Sequence, residues 1–343
     1  MKTVHLILFF LVGSILVSAQ TAGSKYKVVN KIHLSGDTGW DYLYSDDQAG
    51  RLYVSHGSIV QIINENKGEL VGTISGMKGV HGIAIASGLS KGFISSGRDT
   101  LVTVFDTKTL KTIDKIIVTG LNPDAILYDS FSKKVFVFNG KTKNATVIDA
   151  VTDKVIATIP LEGKPEFSVS DDEGKVFVNL EDVSKICAIN STTLKVEHVW
   201  PLSPGEEPSG LAIDKENHLL FSVCGNKKMT VTNAENGKII ATVPIGEDVD
   251  GTAFDSKLKC AYSANGEGNL TVVKEENNTH FKVLATIPTK KSARTIAVNT
   301  ITHHIYLPAA DFEPTPKTES DNSKVRPKII PNSFVILDIK PDN

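Results

Sequence analysis

Short apolar runs separated by polar turns recur along almost the whole chain. Residues 120–161 carry the pattern most clearly: GLNPDAILYDSFSKKVFVFNGKTKNATVIDAVTDKVIATIPL. Its apolar runs, 125–128, 134–138, 145–148 and 155–159, are rich in Val, Ile and Phe, with a few Asp, Ser, Asn, Gly or Lys residues between them. Runs this short, β-branched and aromatic, with turn residues between, predict four strands joined by tight turns.

The same unit repeats. First strands are expected to open at Asp41, His81, Asp124, Glu166, Ser209, Asp250 and Arg294, which lie 40, 43, 42, 43, 41 and 44 residues apart. Four strands per repeat of about 40–45 residues is the signature of a β-propeller. Asp106, Asp149, Asn190 and Asn233 follow third strands. They are read as turn residues, whose side chains bond backbone groups two residues on.

The chain ends complete the ring. Residues 27–34 (KVVNKIHL) match 154–161 (KVIATIPL) and 238–245 (KIIATVPI), both fourth strands of their units. The chain therefore opens on a fourth strand and finishes on a third, near residue 339. The predicted fold is all-β: a seven-bladed β-propeller whose last blade is closed by the N-terminal strand, which leaves no open sheet edge. One domain spans residues 20–343. Residues 308–333, polar and Pro-rich, form an insertion between the second and third strands of blade 7, expected to overhang one face of the ring as a lid.

Charge and composition narrow the function classes. The net charge is −2, so nucleic acid is not the favoured partner. Lys2, the apolar run 6–17 and the small-residue site Val17-Ser18-Ala19 read as a signal peptide over residues 1–19, cleaved near Ala19. A periplasmic or secreted location is expected, with no membrane span elsewhere and a monomeric state. Cys187, Cys224 and Cys260 are odd in number and fit no zinc spacing, and each adjoins an apolar strand, so buried free thiols are expected.

Several second-strand segments read Tyr53-Val54-Ser55-His56, Phe136-Val137-Phe138-Asn139, Phe177-Val178-Asn179 and Tyr262-Ser263-Ala264-Asn265. With GWDY (39–42), GVHGIA (79–84), NPDAI (122–126), GKPEF (163–167), GEEPSGLAID (205–214), SVCGNKKM (222–229) and NGEG (265–268), they resemble the YVTN-repeat family of seven-bladed propellers. The likeness is to its YncE-like group of exported bacterial proteins, and covers essentially the whole mature chain. It implies a secreted or periplasmic propeller without a defined reaction. A Cys-x-x-Cys-His heme motif is absent from the sequence.

In a propeller the first strand of each blade is innermost, and antiparallel pairing sets the end of strand two beside the start of strand one. One mouth of the central channel should therefore gather Asp41, His81, Asp124, Glu166, Ser209, Asp250 and Arg294, with His56, Arg98, Asn139, Glu181, Asn226 and Glu267 behind them. The ligand-binding candidates are Asp41, His56, His81, Arg98, Asp124, Glu166, Glu181, Asp250, Glu267 and Arg294. Converging carboxylates raise one another's pKa or recruit a cation. Asp124, Glu166 and Asp250 are candidate ligands for Ca²⁺ or Mg²⁺. His81 or His56 is a candidate general base, and Arg294 or Arg98 a clamp for a substrate anion. Against these stand plainer roles, in which the acids cap turn amides or form salt bridges between blades.

Three functions remain open on the sequence. The first is a binding protein that takes a small-molecule or protein ligand at the mouth. The second is a metal-assisted hydrolase of the lactonase type, or a lyase, using the acid–His–Arg set. The third is DNA binding. No Gly-x-Ser-x-Gly, phosphate-binding glycine loop or His-Glu-x-x-His occurs in the sequence.

Overall fold

The computed structural model describes residues 26–36, 38–314 and 328–342. The expected signal peptide and the middle of the blade 7 insertion lie outside these residues. The described chain forms seven four-stranded antiparallel sheets. Blade 3, the clearest repeat in the sequence, consists of Pro123–Asp129, Lys134–Asn139, Asn144–Asp149 and Lys154–Pro160. First strands of successive blades contact one another around the ring, and that of blade 7, Ala297–Asn299, returns to Trp40–Asp46 of blade 1. The molecule is a seven-bladed β-propeller.

Blade 7 is closed as expected. Tyr26–His33 pairs antiparallel with Val335–Pro341, from Tyr26 opposite Pro341 to His33 opposite Val335. The turn residues also behave as read: Asp149 Oδ1 accepts from the amides of Val151 and Thr152, and Asn233 Oδ1 from those of Glu235 and Asn236.

The core lies between blades. Phe136, Phe138 and Val147 of blade 3 pack with Val176, Val178 and Cys187 of blade 4, and Tyr306 and Ile336 of blade 7 with Leu43, Leu52 and Val54 of blade 1. This follows from the sequence pattern: the second and third strands of each blade are largely apolar on both faces, because each face meets a neighbouring sheet. All three cysteines are buried free thiols. Burial pushes Cys187 and Cys224 up to about 12, so neither offers a thiolate nucleophile.

One local device shapes the channel. In each of the first six blades the first strand carries one residue more than its partner, a β-bulge near its start. Trp40 faces His56 and Leu43 faces Val54; Val80 faces Ser96 and Ile83 faces Ile94; Pro123 faces Asn139 and Ile126 faces Val137. Blades 4, 5 and 6 repeat the shift. A bulge re-aims the side chains within it, and the bulged stretches contain Asp41, His81, Asp124, Glu166, Ser209 and Asp250.

Candidate functional site: the mouth of the channel

The bulges bring most of the first-strand set together. His81 Nδ1 lies 2.5 Å from Asp41 Oδ2 and 3.6 Å from Asp124 Oδ1, joining blades 1, 2 and 3. Lys164 Nζ stands 2.5 Å from both Glu166 Oε1 and Glu181 Oε2. Across the ring, Arg294 Nε is 3.3 Å from Asp250 Oδ2. Hydroxyls from the scaffold pin the backbone of these residues. Ser55 Oγ accepts from the Asp41 amide at 3.2 Å, Thr295 Oγ1 donates to the Asp41 carbonyl at 2.8 Å, and Ser95 Oγ donates to the Asp124 carbonyl at 2.5 Å. Ser209, the one uncharged member, spends its hydroxyl on the Val249 carbonyl at 3.3 Å.

Among the described residues, the ion pairs of Asp41, Asp124, Glu166, Glu181 and Asp250 are with three cations, His81, Lys164 and Arg294, while Lys78 and Arg98 stand further out in the recess beside Asp41 and His81. Burial and the negative charge of Asp41 raise the pKa of Asp124, against the pull of His81 and Lys164. Burial and the charge of Asp124 raise Glu166, against Lys164. Burial pushes Asp250 up to about 7; Arg294 opposes the shift, and Asp41, Asp124 and Asp248 add to it. Burial alone would lower His81, but its hydrogen bond to Asp41 and the charges of Asp124, Asp41 and Glu166 push it up to about 9. These contacts with Asp41 and Asp124 favour the protonated imidazolium of His81, the form that donates rather than accepts a proton. Among the described residues, no hydroxyl or thiol hydrogen-bonds to its ring.

Directly after the mouth residues the seven blades carry Tyr42, Gly82, Ala125, Phe167, Gly210, Gly251 and Thr295. Bulk at this level comes from Tyr42 and Phe167. Their ring centroids lie 5.2 Å apart although they belong to blades 1 and 4, so they meet across the channel and floor the mouth. Tyr42 is buried, and desolvation, then the charges of Asp124, Glu166, Asp41 and Asp250, holds its hydroxyl protonated. The small residues are required by neighbouring backbone: a Cβ on Gly251 would lie 3.0 Å from Ile296 N, and one on Gly210 would lie 2.7 Å from Thr252 N.

The second-strand set is more dispersed. His56 is buried away from the channel, with Nδ1 2.9 Å from Gln61 Oε1 and Nε2 3.0 Å from the Thr38 carbonyl, and it packs on Phe334; its role here is structural. Asn139 bonds Asn144 and Thr146 within its own blade. Asn226 donates to the Pro204 carbonyl, and Glu267 is exposed and accepts from Asn269. Glu181 joins the mouth through Lys164. Arg98 is exposed at the edge of a recess of about 510 Å³ between blades 1 and 2, shared with Asp41, His81 and Trp40. Trp40 packs on Phe334 and on Phe312, at the foot of the blade 7 insertion, where Phe312 bridges to Ile329. Lys164, Tyr42 and Phe167 are the parts not picked out from sequence. Lys164 precedes Glu166 by two residues in GKPEF, the only positive charge among the residues two before each first-strand mouth residue.

For a metal, the sequence pointed to Asp124, Glu166 and Asp250. The structure instead brings ligand atoms of Asp41, His81 and Asp124 within 4.8 Å of one another, while Glu166 and Asp250 are occupied by Lys164 and Arg294. His303 and His304 point apart, to Asp255 and Asp338.

No family model matches the chain, and no curated protein is similar to it in sequence. Among solved structures, a chain of hydrazine synthase from Kuenenia stuttgartiensis superposes with a TM-score of 0.69 at 16% identity, over 80% of this chain and 94% of that one. U3-55K superposes with a TM-score of 0.75 at 8% identity, over 90% of this chain and 97% of that one. At these identities the likeness is one of fold, and it places the chain among the β-propellers.

Proposed function

We propose that the protein is a binding propeller, not an enzyme, and that its mouth takes a ligand bearing a positive charge. The carrying observation is that five carboxyl groups at the mouth share three ion-paired cations, with Asp124, Glu166 and Asp250 all raised in pKa. Such a site holds protons that an entering cation displaces. The aromatic floor of Tyr42 and Phe167 suits an organic cation, since a ring face attracts ammonium charge. Arg98 stands at the recess edge, where an anionic group of the same ligand would reach it.

The YVTN-like segments support assignment to that exported family, and the leader-like residues 1–19 support export to the periplasm or beyond; a monomer is in keeping with a ring closed on itself. The same acid excess disfavours DNA, whose phosphates the mouth would repel. A second reading is metal-assisted hydrolysis, favoured by the grouping of Asp41, His81 and Asp124, one nitrogen and two carboxylates in reach of one ion. The two readings separate in one experiment: titration with benzylammonium and with Ca²⁺, Mg²⁺ and Zn²⁺, on the wild type and on His81→Gln. The binding reading expects the ammonium to bind and no metal to be retained stoichiometrically. Retained metal, lost in His81→Gln, would replace it with the hydrolase reading.

A further inference from the structure

Below the Tyr42–Phe167 floor the channel changes character. It holds a chamber of about 350 Å³ that ends at Asp172 and Lys215, on the face opposite the mouth. The walls are first-strand side chains, among them Leu127, Val169 and Ile213, half-buried on the channel side. Tyr44 and Tyr128 add two aromatic rings, and among the described residues neither phenol oxygen has a hydrogen-bond partner within the chain.

Among the described residues that line the chamber, the only charges are at its rim, and they are already used. Lys215 Nζ pairs with Asp172 Oδ2, and Asp172 Oδ1 accepts from Ser130 Oγ at 2.8 Å. Asp172 is held below the usual carboxylate range because these contacts, Lys215 first, outweigh its desolvation. A charged ligand inside would find no counter-charge and would lose its hydration. A neutral one would give up little and would gain by burying apolar surface.

We propose that this chamber is a second binding site, distinct from the mouth, for a small neutral aromatic molecule of about two fused rings carrying one hydrogen-bonding group. Size sets the ring count: a cavity of about 150 Å³ takes a benzene ring, and the chamber has roughly twice that. The two phenols supply the polar contact, and each can donate or accept. The Tyr42–Phe167 contact separates this ligand from the charged one above, so the two sites bind independently.

The test is fluorescence titration of the full chain with 2-naphthol, in parallel with 2-naphthalenesulfonate. Binding of 2-naphthol is expected at one per chain, with the sulfonate at least tenfold weaker. Val169→Trp, which fills the chamber, should abolish binding, and Tyr128→Phe, which removes only a hydroxyl, should weaken it about threefold to tenfold. Glu166→Gln at the mouth should leave it unchanged. Equal binding of the two probes would overturn the proposal, as would unchanged binding in Tyr128→Phe together with either Val169→Trp or Ile213→Phe. A parallel loss in Glu166→Gln would place the probe at the mouth instead.

Discussion

The imidazole of His81 holds the carboxylate of Asp41 at 2.5 Å across the seam between blades 1 and 2. Both side chains project from β-bulges, so the contact is set by the same backbone irregularity in two successive repeats. Breaking a hydrogen bond to a charged group of this kind costs about 1.5–3 kcal/mol. His81→Asn is therefore expected to lower unfolding stability by about 2 kcal/mol. In a double-mutant cycle with Asp41→Asn, measured by urea unfolding, the coupling should exceed about 1 kcal/mol. Additive losses would mean that the pair does not act as a unit.

Stability should depend on pH in a direction fixed by the mouth. A carboxyl with a raised folded-state pKa keeps a proton that the unfolded chain has released. It therefore destabilises the fold increasingly as pH climbs from about 4 through about 7 for Asp250. The stabilisation from the His81 charge is fully present below its unfolded pKa of about 6.5 and is lost as pH rises through about 9. Both effects have the same sign, so Tm should fall steadily between pH 5 and pH 9. Asp250→Asn should flatten the decline between pH 5 and pH 7. Differential scanning calorimetry at unit pH steps reads this out, and a Tm that rises toward pH 9 would contradict the assigned shifts.

Gly251 lets blade 7 approach blade 6: its amide donates to the Arg294 carbonyl at 2.7 Å, and a Cβ would sit 3.0 Å from Ile296 N. Gly251→Ala should cost about 1–3 kcal/mol by overpacking. It should also displace Arg294 from Asp250, so binding at the mouth should weaken alongside stability. A neutral effect on both, by chemical denaturation and calorimetry, would show that the blades can separate there without cost.

Removing residues 26–33 takes away the strand that closes blade 7 and bares the edge of Val335–Pro341. An uncovered edge strand invites pairing with another chain. The truncated protein should associate in light scattering and lose about 10 °C or more in Tm, on a scale of about 2–4 °C per kcal/mol for domains near this size. A monomer of unchanged Tm would mean that the termini do not fasten the ring.

Much of this was legible in the sequence, for a physical reason. Strand period and turn chemistry are local, so the 40–44-residue repeat, the terminal closure and the turn roles of Asp149 and Asn233 can be read from residues in order. The mouth was legible as a set of positions, because each blade delivers the same position to the ring: Asp41, His81, Asp124, Glu166, Asp250 and Arg294 all gather there. Pairing within the set was not legible. Which acid takes Lys164, and that His81 lies between Asp41 and Asp124, depends on the one-residue bulges and on side chains from different blades. His56 looked equivalent to Arg98 by position, but Gln61 and the Thr38 carbonyl hold it inside blade 1. The Tyr42–Phe167 floor joins residues from opposite sides of the ring, which no repeat comparison reports.

The central claim, that the mouth takes a cation, is tested most directly by calorimetric titration with benzylammonium, benzyl alcohol and benzoate at pH 6 and pH 8. The acid excess predicts that benzylammonium binds at least tenfold tighter than the alcohol, about 1.4 kcal/mol, and tighter at pH 8 than at pH 6 as the raised carboxyls give up their protons. The same preference should be lost in Asp124→Asn combined with Glu166→Gln. Equal affinities for the three probes, or benzoate bound first, would contradict it.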